Sequence, residues 1–379
     1  MKKKLLCLIF LFVFILSDVS IIDTCASELA VSAECAVLMC VDNGEILYAK
    51  NADLRRPMAS TTKIMTSLLA LEAAQYGNKQ VTVTEKMYAE GSSMYLKAGD
   101  ILTLKDLAAG MMMVSGNDSA NAVALSLADS LEAFAKIMNE KAREIGMNDT
   151  SFVTPSGLDD ENHYSTAHDM ALLMSYAMKN ADFAELTGKK QEQVRFINPK
   201  NQIKTYSNHN KLLKTYKYCI GGKTGFTKIA GRCLVSCAQK SGVTLVAVTL
   251  NAPDDWNDHK SMYDYGFGFL ESVSFEDFDI TIPIDVVGGC ENIVNAVAEN
   301  SSRAVLPKNE KEKVERTVKL VPFIYAPVTA GDTVGSVTYM YNDEIIAVNY
   351  LVADKSCEYM EVEKSFFERI ADFFKGLFT

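Results

Sequence analysis

Strand-type sequence stands at both ends of a long helical middle, and this arrangement limits the possible folds more than any other feature. Near the start, Ala36-Val37-Leu38-Met39 and Ile46-Leu47-Tyr48 flank Asp42-Asn43-Gly44, the pattern of a hairpin closed by an Asn-Gly turn. Far downstream, Thr244 to Leu250 is an apolar β-branched run, with Cys233 to Ala238 as its expected neighbour. Between them, helical periodicity covers Ser60 to Ala74, runs from Leu104 to about Ile145 with a break near Ser115, and resumes from His168 to Met178. These patterns predict an α/β domain whose sheet is assembled from distant segments. After about Phe275 the character changes. Short runs such as Asp279-Ile-Thr-Ile-Pro-Ile, Arg316-Thr-Val-Lys-Leu-Val and Glu344-Ile-Ile-Ala-Val-Asn-Tyr predict a second, all-β domain, with Ala298 to Lys313 as a polar loop inside it.

Two large domains also fit the 379 residues, which exceed what one hydrophobic core supports. With 48% hydrophobic and 23% charged residues the chain is a folded protein rather than a disordered one. Its net charge of -10 argues against nucleic acid as a partner, because a phosphate backbone needs a basic face to meet it.

The two ends suggest a compartment. Lys2, Lys3 and Lys4 precede an unbroken apolar run from Leu5 to Leu16, and Thr24-Cys25-Ala26 offers small residues before a cut after Ala26. Residues 1–26 read as an export signal, since the apolar run is short of the about 20 residues a span requires. Cleavage leaves seven of the nine cysteines, an odd number, so at least one is unpaired. Cys233 and Cys237 are too far apart along a strand to join, and buried free thiols are the expectation. At the other end, Phe366, Phe367, Ile370, Phe373, Phe374, Leu377 and Phe378 fall on one helical face, opposite Glu363, Glu368, Arg369, Asp372 and Lys375. Residues 359–379 are therefore expected to form an amphipathic helix that lies on a membrane surface.

Three short motifs carry chemistry. Ser60-Thr61-Thr62-Lys63 puts a hydroxyl and an amine one helical turn apart, a nucleophile with a base. Burial and nearby positive charge can lower a lysine's pKa enough for it to take the hydroxyl proton. Ser115-Gly116-Asn117 interrupts the helical middle and offers a hydroxyl and an amide to a second wall. Lys223-Thr224-Gly225 follows Gly221-Gly222 and precedes Phe226-Thr227; read as an edge strand, it brings a cation and a hydroxyl to the cleft, with Gly225 permitting close approach of a substrate backbone. No Gly-x-Ser-x-Gly elbow, no His-Glu-x-x-His and no metal-ligand spacing appears, so no metal or organic cofactor is expected.

Ser-x-x-Lys, Ser-x-Asn and Lys-Thr-Gly in this order form the set used by penicillin-binding proteins and class A β-lactamases. The surrounding words agree: Arg56-Pro57-Met58-Ala59 before Ser60, Pro155-Ser156-Gly157-Leu158, Tyr164-Ser165-Thr166-Ala167-His168-Asp169, and Gly222-Lys223-Thr224-Gly225-Phe226-Thr227. The whole chain resembles the low-molecular-weight penicillin-binding proteins that act as D-alanyl-D-alanine carboxypeptidases. That resemblance implies an α/β catalytic domain of the penicillin-binding protein/β-lactamase type, with a central antiparallel sheet and helices, over residues 27–272. A small β-domain over 273–358 and the terminal amphipathic helix would follow. The implied partners are peptidoglycan stem peptides, β-lactam antibiotics and a membrane surface, and the implied location is the outer face of the cell membrane.

The family's roles, transferred to matching positions, make Ser60 the nucleophile and Lys63 its base. Ser115 would relay a proton to the departing D-alanine and Asn117 would bind substrate backbone. Lys223 would keep the local field positive, Thr224 and Thr227 would meet the substrate carboxylate beside Gly225, and the N–H groups of Ser60 and Phe226 would form the oxyanion hole. Many members carry an Arg on the next strand region for that carboxylate, yet the corresponding stretch Leu250 to Lys260 has none. Trp256 within it is assigned equally to a cleft wall or to packing. The competing activities are D,D-transpeptidation, β-lactamase-like hydrolysis and a non-catalytic surface scaffold. The class A Glu-x-x-Leu-Asn element is missing.

Overall fold

The computed structural model describes residues 29–361 and Ile370. The expected export segment 1–26 and nearly all of the expected terminal helix lie outside the described residues. Among those described, no helix is long and apolar enough to cross a membrane.

The Cys35–Cys40 strand forms a hairpin with Ile46–Lys50 through the Asn-Gly turn, where Gly44 supplies the left-handed φ of 76°. On its other edge it pairs antiparallel with Val243–Leu250, placing Cys35 opposite Leu250 and Cys40 opposite Leu245. Gly231–Lys240 and then Cys219–Thr227 complete a five-stranded sheet, with Cys219–Thr227 at the open edge. The sheet is buried on both faces, which is why its central strands read as near-continuous apolar runs. Cys35, Val37, Met39, Val246, Val248 and Leu250 belong to the main helical core. Leu38 and Leu245 turn to the opposite side, against Gly266 of the Asp255–Phe269 helix.

The helical middle supplies Lys63–Gln75, Leu104–Val114, Asn117–Leu127, Leu131–Ile145 and Ala167–Ala177. Their starts are capped by side chains in three cases: Thr103, Ser130 and Thr166 accept the N–H groups of Asp106, Ala133 and Asp169. The Asp255–Phe269 helix was not legible, since Trp256, Tyr263 and two glycines break its apolar periodicity.

The C-terminal region is all-β. A six-stranded sheet runs in the order Glu315–Leu320, Thr333–Tyr341, Glu344–Ala353, Ile293–Ala298, Thr281–Val287 and Phe323–Tyr325. The expected polar loop from Ala298 to Lys313 is corrected by the structure. It contains the Ser302–Pro307 strand, which pairs with Leu270–Phe275 and buries Val305 and Leu306 under polar neighbours that mask the strand pattern.

Candidate active site

Ser60 sits in a tight turn, Ala59–Thr62, that leads directly into the Lys63–Gln75 helix. Ala59 before it is forced to a φ of 49°, a strained value for a residue with a Cβ. The turn is clamped from below. Gly157 approaches so closely that a Cβ there would lie 1.9 Å from the Ala59 carbonyl oxygen. Thr61 and Thr62 donate their hydroxyls to the carbonyls of Met58 and Ala59, and His163 Nε2 meets the Thr62 hydroxyl at 2.8 Å. Burial pulls the His163 imidazole down to about 4, so it serves this turn as a neutral ring.

Lys63 projects from the first turn of the helix and is closed to solvent. Its Nζ donates to Ser60 Oγ at 3.0 Å, to Asn117 Oδ1 at 2.7 Å and to the Ser156 carbonyl at 2.6 Å. Burial, reinforced by the charge of Lys223 and opposed by Asp118, holds its pKa well below the ordinary lysine value. An amine so placed can be a proton acceptor for the adjacent hydroxyl.

Ser115 and Asn117 come from the break between two helices. The interruption at this point is as expected, but the left-handed residue is Ser115 itself, at φ 59° and ψ 32°, while Gly116 keeps φ at −57°. Gly116 is needed for space: a Cβ on it would meet Ser119 Oγ at 2.7 Å. Asn117 spans the site, accepting from Lys63 and donating to the Glu90 carbonyl at 2.6 Å. Lys223, on the edge strand, reaches across to Ser115 Oγ at 3.0 Å, and burial brings its pKa down to about 7. Gly225 permits the edge strand to lie against the Ala59–Thr62 turn, since a Cβ there would be 2.9 Å from the Ser60 nitrogen.

These groups border a cleft of about 450 Å³ lined by Ser60, Ser115, Thr224, Phe226, Arg232 and Trp256, among others. Trp256 is thus a wall of the cleft. A larger cavity of about 790 Å³ lies where the Asp42–Glu45 turn meets Arg303 and Tyr341, and no serine, cysteine, lysine or histidine lines it. Thr227, at the end of the edge strand, donates its hydroxyl to Asp159 at 2.7 Å and accepts from the Ala230 N–H.

Two groups escaped the sequence reading. Arg232 is the cross-strand partner of Phe226, ion-paired at 2.5 Å to buried Asp255, 5.8 Å from the Trp256 ring centre, and 43% exposed toward the cleft. Asp255 and Trp256 lie in the very stretch that lacks an arginine, so the cation arrives there from the neighbouring strand. The second is His209, which lines the cleft and is held below its ordinary pKa by burial and by Lys223. Nothing in the local sequence of either residue marks it; strand pairing places Arg232, and the bend after the Ile203–Ser207 strand places His209. Among the described residues no cluster of histidine, cysteine and carboxylate side chains could hold a metal ion.

Comparison with known proteins gives the family. The family model for D-alanyl-D-alanine carboxypeptidase, peptidase family S11, matches residues 22–254, and that for the penicillin-binding protein 5 C-terminal domain matches 279–359. The chain is 32% identical over 341 residues to the D-alanyl-D-alanine carboxypeptidase DacF of Bacillus subtilis, covering 86% of each chain. Among solved structures it resembles penicillin-binding protein 5 from Haemophilus influenzae, with a TM-score of 0.66, 28% identity, and 87% and 98% of the two chains covered. It also resembles a Streptomyces DD-transpeptidase, with a TM-score of 0.60, 31% identity, and 63% and 99% covered.

Proposed function

The chain belongs to the D-alanyl-D-alanine carboxypeptidase family of serine peptidases, and from that premise we propose that it removes the terminal D-alanine of peptidoglycan stem peptides through an acyl-enzyme on Ser60. The observation that carries this reading is the contact of Lys63 Nζ with Ser60 Oγ at 3.0 Å in a position closed to solvent. Neutral Lys63 takes the hydroxyl proton as Oγ attacks the carbonyl between the two D-alanines. The developing oxyanion is met by the N–H groups of Ser60 and Phe226, each such donor being worth roughly 3 kcal/mol. The proton taken by Lys63 is relayed through Ser115, hydrogen-bonded to Lys223, to the departing amine; the C–N bond breaks and Lys63 is neutral again. Water then attacks the ester carbonyl as Lys63 takes its proton, and the C–Oγ bond breaks as that proton passes to Oγ, which frees the shortened peptide and restores the Ser60 hydroxyl.

Asn117 holds the substrate backbone. Thr224 and Arg232 hold the terminal carboxylate, the guanidinium being kept in place by Asp255 and Trp256. β-Lactams acylate the same serine. We place the enzyme outside the cytoplasmic membrane, from the apolar run after Lys4 and the amphipathic pattern after Glu361. The resemblance to a DD-transpeptidase keeps a second reading in view, in which an amine replaces water.

The test is release of D-alanine from diacetyl-L-Lys-D-Ala-D-Ala. Ser60→Ala should abolish release and covalent labelling by penicillin, and retained release by a folded variant rejects the reading. Mass analysis with and without an amine acceptor separates hydrolysis from transpeptidation.

A further inference from the structure

We propose that Cys290 and Cys357 are a disulfide-forming pair that locks the last segment of the β-domain onto its sheet. The seven cysteines of the described residues are all thiols here, but they are not equivalent. Cys35, Cys40, Cys219, Cys233 and Cys237 lie in strands of the five-stranded sheet, where the register sets Cys237 opposite Gly221 and Cys219 opposite Ala238. Cys290 and Cys357 stand apart from them. Though 67 positions apart in the chain, their sulfurs are 3.9 Å from each other. A side-chain rotation brings sulfurs at that separation to bonding distance.

The surroundings suit the reaction. Cys290 is exposed, whereas Cys357 is buried. An oxidant therefore reaches Cys290 first, and Cys357 is the resolving thiol. The Cys290 thiolate attacks a disulfide-bearing oxidant, such as oxidised glutathione, and one thiol of the oxidant leaves. The Cys357 thiolate then attacks the Cys290 sulfur and the second thiol leaves. In sum, two protons and two electrons pass to the oxidant, which leaves as two thiols. Gly289 beside them leaves room for the buried sulfur, since a Cβ there would lie 2.5 Å from Cys357 Sγ.

What the bond would hold is a strap. Residues 354–361 belong to no named strand and are fixed through isolated bridges, Val328 with Cys357 and Gly289 with Tyr359. Cys290 N–H donates to the Glu358 carbonyl at 2.9 Å and Met360 N–H to the Gly288 carbonyl at 2.8 Å. Lys355 pairs with Glu291 across the same seam. This strap is the last described segment before the amphipathic sequence beyond Glu361. Any load from a membrane-held tail passes through it, and hydrogen bonds at a sheet edge can open one at a time. A covalent link across the seam prevents that peeling.

The inference rests on the export reading, because such bonds persist in oxidising surroundings. The experiment is alkylation of the full chain with iodoacetamide before and after unfolding, followed by peptide mass mapping. It is applied both to protein recovered from the cell envelope and to purified reduced protein equilibrated with oxidised glutathione. A peptide linking Cys290 to Cys357, with the other five cysteines alkylated only on unfolding, is expected in both samples. Reduction, or Cys290→Ser, should lower the melting temperature of the β-domain by roughly 5–10 °C and speed hydrogen exchange at 357–360. If Cys290 and Cys357 remain separate after glutathione treatment of folded protein, the pairing is wrong. If the link forms with glutathione but the chain is found reduced in the cytoplasm, the pairing stands and the export reading fails.

Discussion

The Nζ of Lys223 donates to the Oγ of Ser115 at 3.0 Å, and the same buried ammonium depresses the pKa of Lys63 on the facing wall. A lysine with a lowered pKa sheds its proton earlier as pH rises. Lys63 thereby becomes available as a base at lower pH than an ordinary lysine, while Lys223 loses its charge as pH climbs through about 7. Penicillin acylation should therefore rise and then fall with pH, with the falling limb near neutrality. Lys223→Arg, which keeps its proton, should move that limb to higher pH in stopped-flow acylation. An unmoved limb assigns it to another group.

Removing the Ser115 hydroxyl should act on proton transfer rather than on binding. Ser115→Ala is expected to lower kcat for D-alanine release roughly 100-fold or more, with a modest change in KM. Steady-state kinetics on the tripeptide decide the matter, and a KM effect alone would reassign Ser115 to substrate binding.

Arg232 brings a cation to the cleft beside Asp255 and Trp256, in the stretch Leu250 to Lys260 that has no arginine. Arg232→Gln should raise KM roughly 10- to 100-fold, the equivalent of losing one charge-assisted hydrogen bond. Lys at this position should recover part of the loss. The discriminating comparison uses the C-terminal amide of the same peptide, which wild type should handle poorly and the variant no better or worse than the acid. Preserved preference for the acid removes Arg232 from carboxylate recognition.

Gly157 supports the nucleophile's turn from a φ of 83°, with no space for a Cβ against Ala59. Gly157→Ala should destabilise the catalytic domain by roughly 3 kcal/mol and cut penicillin labelling of what remains folded. Urea unfolding followed by tryptophan emission from Trp256 measures it.

In the β-domain, Asp277 is buried, which alone would raise its pKa, but Tyr339, Arg316 and Asn349 hydrogen-bond it at 2.7, 2.8 and 2.6 Å and hold it below the usual carboxylate range. A depressed carboxylate contributes stability that is complete above its unfolded pKa of about 3.9 and is lost as pH falls through the lower folded value. Asp277→Asn should destabilise the β-domain by roughly 3 kcal/mol at neutral pH and flatten that acid transition, with D-alanine release unchanged. An acid melt as steep as wild type's would rule out the network as its source.

The reactive trio was legible because each motif is local: Ser60 with Lys63, Ser115 with Asn117, and Lys223 with Thr224 need only a helical turn, a helix break and a strand to be recognised. The hairpin turn and the break at Ser115 were legible for the same reason. The strand at Ser302–Pro307 was not, because its buried Val305 and Leu306 sit among polar residues and its partner lies at Leu270–Phe275. The partners of the Thr227 hydroxyl, Asp159 and the Ala230 N–H, were not legible either, because distance from Lys223 in sequence says nothing of the turn that brings them together.

The sequence by itself determined the motifs and the class of fold, since a Ser-x-x-Lys spacing and a hydrophobic period are properties of short segments. Tertiary structure alone decided which cation meets the cleft beside Trp256, that two lysines share one buried field, and that Cys290 faces Cys357. Each of these is a meeting of groups far apart in the chain. Strand register and burial set such meetings, and neither is written in the spacing of the residues concerned.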